Sequence, residues 1–183
     1  MRGIAAIAAL VLGGVTAVAQ GSVTVVGGGS AQRCFHAAEA QDASLHAMDD
    51  CNRALAEEVL VPSDRVATHV NRGILYFLKA DSAAAHADFD TALRLDPNEP
   101  DAWLNKAIVT AQYGEAVDAL PMIQKALDLK TRRPAVAYFV RAVVEEKRGN
   151  VRAAYDDFRR AQSLEPKWDK PRIELSRYSV RKL

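Results

Sequence analysis

Apolar positions recur along most of this chain at intervals of three and four. The pattern starts near Ala31 and runs almost unbroken to Leu183, and no window shows sustained strict alternation of apolar and polar residues. Intervals of three and four put apolar side chains on one face of a helix, so the pattern predicts an all-helical domain. Breaks rich in Pro, Gly, Asp and Asn fall at Gln41-Asp42, Val61 to Asp64, Ala80 to Ser82, Asp96 to Pro100 and Tyr113-Gly114. Others lie at Thr131 to Pro134, Gly149-Asn150 and Glu165 to Pro171. They predict short turns between antiparallel helices. Ahead of the helical part, Ile4 to Val18 is apolar or small throughout, and Gly21 to Ser30 carries three consecutive glycines that neither a helix nor a strand interior favours.

Within the helical part the residues repeat. Gly73, Tyr76, Ala85, Phe89, Ala92 and Pro97 mark one unit, from Val66 to Asn98. The Gly73 position returns as Ala107 and Ala142, Ala85 as Ala119 and Ala154, Phe89 as Ile123 and Phe158, and Ala92 as Ala126 and Ala161, in steps of 34 and then 35 residues. Small residues at Gly73 with Ala85, and at their equivalents, let two helices cross closely, while Tyr76, Phe89, Trp103, Ile123, Tyr138 and Phe158 fill the flanks. Pro97 and Pro166 end second helices. This period and these residue types resemble the tetratricopeptide repeat. The resemblance implies an α-solenoid of stacked antiparallel helix pairs, wound as a right-handed superhelix, with units at about 28–65, 66–99, 100–134 and 135–168. A capping helix over 171–183 follows, with Ser176 in the small-residue position. The first unit is the weakest match: Ala47, Cys51 and Ala54 align with Ala85, Phe89 and Ala92 at an offset of 38.

Composition fits one folded domain: 183 residues, 49% hydrophobic and 26% charged, net charge +1. From Lys130 onward there are 15 basic and 7 acidic residues, a net +8 that leaves −7 for the part before it. Such polarised halves would suit head-to-tail association of copies or an acidic partner, but solvated faces on Arg-rich helices are the preferred reading. Near-neutrality argues against a nucleic-acid partner.

Met1-Arg2, the apolar run and Ala17-Val18-Ala19 together have the form of a secretory signal over 1–19, followed by a Gly-rich linker over 20–30. A second small-residue cleavage option ends at Ala31, so the mature chain is expected to begin at Gln20 or Gln32. The expected location is periplasmic or secreted, without stable membrane insertion after signal removal. An uncleaved anchor over Ile4 to Val26 is the alternative.

Cys34 and Cys51 fall on facing positions of the first helix pair, and in an exported protein they are expected to form a disulfide. Rival readings are a metal site from Cys34, His36 and Cys51, or an enzyme with Cys34 as nucleophile and His36 as base. Neither has a second supporting motif. The carboxylate pairs Asp49-Asp50, Glu57-Glu58, Glu145-Glu146 and Asp156-Asp157 are expected on solvated faces, as are His46, His69 and His86. No catalytic motif or cofactor loop is present in the sequence.

The resemblance also implies where a partner binds. In tetratricopeptide arrays the first helices line a concave groove, which here would present Val70, Asn71, Ile74 and Phe77, then Leu104, Asn105 and Ile108, then Phe139, Val140 and Val143. Such a groove is largely apolar with two stacked Asn amides able to bond a peptide backbone. Asp101, Val136 and Val140 stand where carboxylate-clamping repeats carry basic residues, so the expected ligand is an apolar or amphipathic segment of a partner protein, of this chain's own terminus or of a second copy. The expected function is a non-catalytic protein-interaction scaffold; a self-assembling structural subunit is the second reading.

Overall fold

A computed structural model describes residues 22–25 and 29–178. The signal expected over 1–19 and the last residues of the expected capping helix lie outside that range. Among the described residues the chain is all-helical. Its helices are α1 (Ser30–Ala40), α2 (Leu45–Glu57), α3 (Pro62–Leu78), α4 (Ser82–Leu95), α5 (Pro100–Tyr113), α6 (Ala119–Asp128), α7 (Pro134–Lys147), α8 (Val151–Leu164) and α9 (Asp169–Leu175). None is long and apolar enough to cross a membrane.

Local chemistry explains the boundaries. Pro62, Pro100 and Pro134 open α3, α5 and α7, where a missing N–H costs nothing and the fixed φ suits a helix start. Helix α3 therefore begins inside the stretch expected to be a turn through Asp64. The side chains of Ser44 and Asp81 accept from the N–H groups of Ala47 and Ala84 and cap α2 and α4. Proline also explains an irregularity. Pro121 cannot follow a regular helical turn because its ring clashes with the carbonyl four residues back. The chain accordingly enters α6 through a short 3-10 turn at Ala116–Asp118, and α6 has 10 residues where α4 and α8 have 14.

The helices pack in consecutive pairs, and α1, α3, α5 and α7 also lie against one another in sequence, which makes the stack an α-solenoid. Phe89, Ile123 and Phe158 are fully buried between the helices of their units. At Gly73 the close approach is to the Phe89 ring: a Cβ there would lie 2.6 Å from its Cε1. A second, smaller core of Phe139, Ala142, Ala154, Phe158 and Ala161 sits at the C-terminal end, flanked by Trp168 and Tyr178. The segment after α9 ties back to α7, with the Tyr178 hydroxyl and Arg177 donating to Glu146.

The carboxylate pairs depart from the expected solvated faces, because Asp50, Glu58, Glu145, Glu146 and Asp157 all have partners within the chain. Buried Asp50 meets Arg33 at 2.9 Å. Asp88 receives two hydrogen bonds from Arg72 and Asp157 two from Arg141. These bridges occupy corresponding positions in the first, second and fourth units and join each first helix to its second. The third unit has Lys106 and Met122 there, and Lys106 turns instead to Asp90 of α4 at 2.5 Å. His69 likewise stands 2.9 Å from Asp88 rather than on a solvated face. Burial pushes the Asp88 carboxyl up, but hydrogen bonds from Arg72 and His69 outweigh it and hold the carboxyl below the usual range.

Candidate peptide-binding groove

Cys34 and Cys51 are bonded to each other, with their Cα atoms 4.8 Å apart, and this links α1 to α2. Closing a loop of this size stabilises a fold by about 2–4 kcal/mol. The bond consumes both thiols, so neither is a nucleophile. His36 is exposed, 3.4 Å from Glu39. A second clasp holds α1. Glu58, at the end of α2, accepts from the backbone N–H groups of Ser30 at 2.5 Å and Ala31 at 3.3 Å. Its partial burial raises the carboxyl pKa, and those two N–H groups with the Arg33 charge reverse the shift and leave it lowered. Gly29 precedes this clasp at φ 101, a conformation suited to glycine, and a Cβ there would meet Glu58 at 2.6 Å.

Part of the face expected to form the groove is covered by the chain's own N-terminal segment. Ser22–Val25 has no helical structure, and its burial alternates: Val23 and Val25 are buried while Thr24 between them is exposed. That alternation is the signature of extended chain. Asn71, fully buried on α3, binds both main-chain groups of one residue. The Val23 N–H donates to Asn71 Oδ1 at 2.8 Å, and Asn71 Nδ2 donates to the Val23 carbonyl at 2.9 Å. The amide thus offers the same donor and acceptor that a neighbouring strand would. Val23 and Val25 join the apolar cluster that contains Val70, Ile74, Leu104 and Ile108. Burying two valines contributes about 3 kcal/mol, and two hydrogen bonds about 2 kcal/mol. Fixing the backbone of four residues costs about 6 kcal/mol. The terms nearly cancel.

One helix further along, Asn105 has different surroundings. Its Oδ1 accepts from Arg133 Nη2 at 3.0 Å, and its buried Nδ2 has no partner among the described residues. Arg133 enters from the loop before α7, and desolvation pulls its pKa down to about 10. Beside it, Asp101 is buried and accepts from Thr131 Oγ1 and Arg132 Nε, each at 2.6 Å. The groove is therefore less purely apolar than expected: a guanidinium reaches it from a position outside the helix face that the repeat register points to. The step of 35 rather than 34 residues from Ala107 to Ala142 was the available signal.

The remaining expected residues divide by burial. Val70 and Leu104 have no exposed surface and belong to the core, and Ile74 and Ile108 are nearly as buried. Phe77 packs edge-on against Tyr113, with centroids 6.1 Å apart. Phe139 is held between Phe158 and Trp168 in the second core. Val140 and Val143 on α7 are half-buried.

Comparison with known proteins agrees with the fold. Over 84 residues, 46% of the chain, the sequence is 37% identical to tetratricopeptide repeat protein 13 of Homo sapiens, and the match spans 9% of that protein's length. No protein-family model matches. The relative and the helical repeat architecture together support a tetratricopeptide-like relationship, and such a fold suggests a protein-interaction scaffold.

Proposed function

We propose that this chain is an exported, non-catalytic scaffold whose groove binds an apolar or amphipathic segment of a protein partner. The observation that carries the reading is the Asn71 amide with both main-chain groups of Val23 upon it. A surface that accepts one extended peptide through its backbone has the chemistry to accept another. Val140 and Val143 extend the same face towards α7. A photo-crosslinking residue placed at Val143 is expected to capture a discrete partner in cells, and the same residue at Thr91 or Arg94, on the exposed face of α4, is not. Crosslinks confined to α4 would reject the groove.

Export is supported by the signal-like sequence and by the cystine, which persists in oxidising compartments. The structure bears on where a signal peptidase would cut. Cleavage before Gln32 would remove Val23, Val25, Ser30 and Ala31, all buried, and with them the Glu58 clasp. Cleavage before Gln20 keeps them all. The intact mass of the protein recovered from the cell envelope should match a chain starting at Gln20; a mass matching Gln32 or the uncut chain would count against this.

A further inference from the structure

We propose that Ser22–Val25 is a resident competitor in the groove, and that the partner is an extended peptide carrying β-branched apolar side chains at alternate positions, which takes over the Asn71 amide as it displaces that segment. The inference rests on the groove reading above and specifies its ligand.

Four features carry it. Both Asn71 hydrogen bonds to Val23 are to its main chain, so this contact selects a backbone geometry and not a side chain. Selection falls to the two buried valine sites, while exposed Thr24 imposes nothing. A β-branched residue fits such a site best because its single favoured χ1 leaves little rotamer freedom to lose. Third, the segment's favourable and unfavourable terms are of the same size, so its seat in the groove is weakly held and open to displacement. Fourth, the groove offers a further contact: Asn105 Nδ2 is buried, 34 residues on from Asn71 in the repeat, and has no partner among the described residues. Neighbouring helix axes lie about 8–10 Å apart and extended chain advances about 3.3 Å per residue. A peptide that pairs with Asn71 through one residue can therefore present a carbonyl to Asn105 about three residues away.

The test uses the full chain and a fluorescently labelled synthetic peptide, Gly-Ser-Val-Thr-Val-Val, copied from Gly21 to Val26. Its affinity is measured for the unaltered chain and for a Val23→Asp, Val25→Asp chain, whose own segment cannot seat. At least tenfold tighter binding to the double variant is expected, reversed by adding Asn71→Ala, with no binding of a peptide that has Asp at both buried valine positions. In the unaltered chain the Val23 amide is expected to be protected from hydrogen exchange and to lose that protection as peptide saturates the groove. Equal affinity for the two chains would overturn the competitor and leave groove binding intact. No binding to a folded double variant, with crosslinks at Val143 still formed, would overturn the ligand class alone; loss of those crosslinks would overturn the scaffold reading itself. A double variant that fails to fold would make the segment an obligate part of the core, and a concentration-dependent dimer exchanging its segments would make a second copy the occupant. Either result would overturn the proposal.

Discussion

Asn71 and Asn105 stand 34 residues apart at the same position of α3 and α5, and their partners differ. Asn71 holds a peptide backbone and is satisfied on both sides of its amide. Asn105 holds a guanidinium on one side and nothing described on the other. A repeat fixes where a side chain points, and what lies across from it is supplied by non-repeating parts of the chain: the segment before α1 in one case, the longer loop before α7 in the other. The N-terminal half of the groove is latched and the next part is only braced.

The largest expected effect tests what anchors the latched half. Replacing both cysteines, Cys34→Ala with Cys51→Ala, should cost about 3 kcal/mol. In hydrogen exchange α1 and α2 should open first while α7 and α8 keep their protection; uniform loss along the stack would erase the contrast. Next, Gly73→Ala asks whether the latched unit is packed more tightly than its successor, where Ala107 already fills the slot. A Cβ 2.6 Å from the Phe89 ring forces that ring to move, and a cost of about 2 kcal/mol in urea unfolding is expected. Asn71→Ala should cost about 1–2 kcal/mol and expose the Val23 amide, and Asn105→Ala less than about 1 kcal/mol, because it also removes a buried donor that lacks a described partner. Equal costs would mean that the two amides do the same job.

Acid should separate the halves by sign. Glu58 and Asp88, both in the first two units, have lowered pKa values, so their contribution is present above the unfolded carboxyl value near 4 and is lost as pH falls through the lower folded values. Glu99, at the start of α5, is shifted up by burial, so its protonated form is favoured in the folded state and the fold gains as pH falls towards and through the ordinary carboxyl range. Exchange measured between pH 3 and pH 6 should show α1 to α4 weakening while the start of α5 gains or holds. Parallel loss in both regions would contradict this assignment.

The helical units were legible because their signal is local and repeated: the small residue at 73, 107 and 142 and the large residue at 89, 123 and 158 each recur at nearly fixed spacing. The cystine was legible for the same reason, since the register placed Cys34 opposite Cys51. The interhelical bridges Arg72 to Asp88 and Arg141 to Asp157 were visible as a recurring pair of types and were missed because a helix carboxylate, alone as Asp88 is or doubled as in Asp156-Asp157, looks solvated when its partner lies 16 residues back. The resident segment was the hardest to see. Val23-Thr24-Val25 does alternate and is β-branched, but the run is too short beside three glycines to suggest anything but a linker. Its burial depends on Asn71, 48 residues away.

The clasp at Glu58 has a consequence for how strongly any outside ligand must bind. It fixes Ser30, and Val25 lies five residues before Ser30. A competitor tethered that closely acts at an effective concentration on the order of millimolar. A free peptide at micromolar concentration therefore faces a standing disadvantage that has nothing to do with its own contacts. A partner that carries several copies of the segment, or that is first captured by another surface of the stack, enjoys the same concentration advantage and meets the tether on even terms. Lengthening the stretch between Val25 and Ser30 should weaken the resident roughly as the −3/2 power of its length, which makes the reach of that stretch a setting for the groove's threshold.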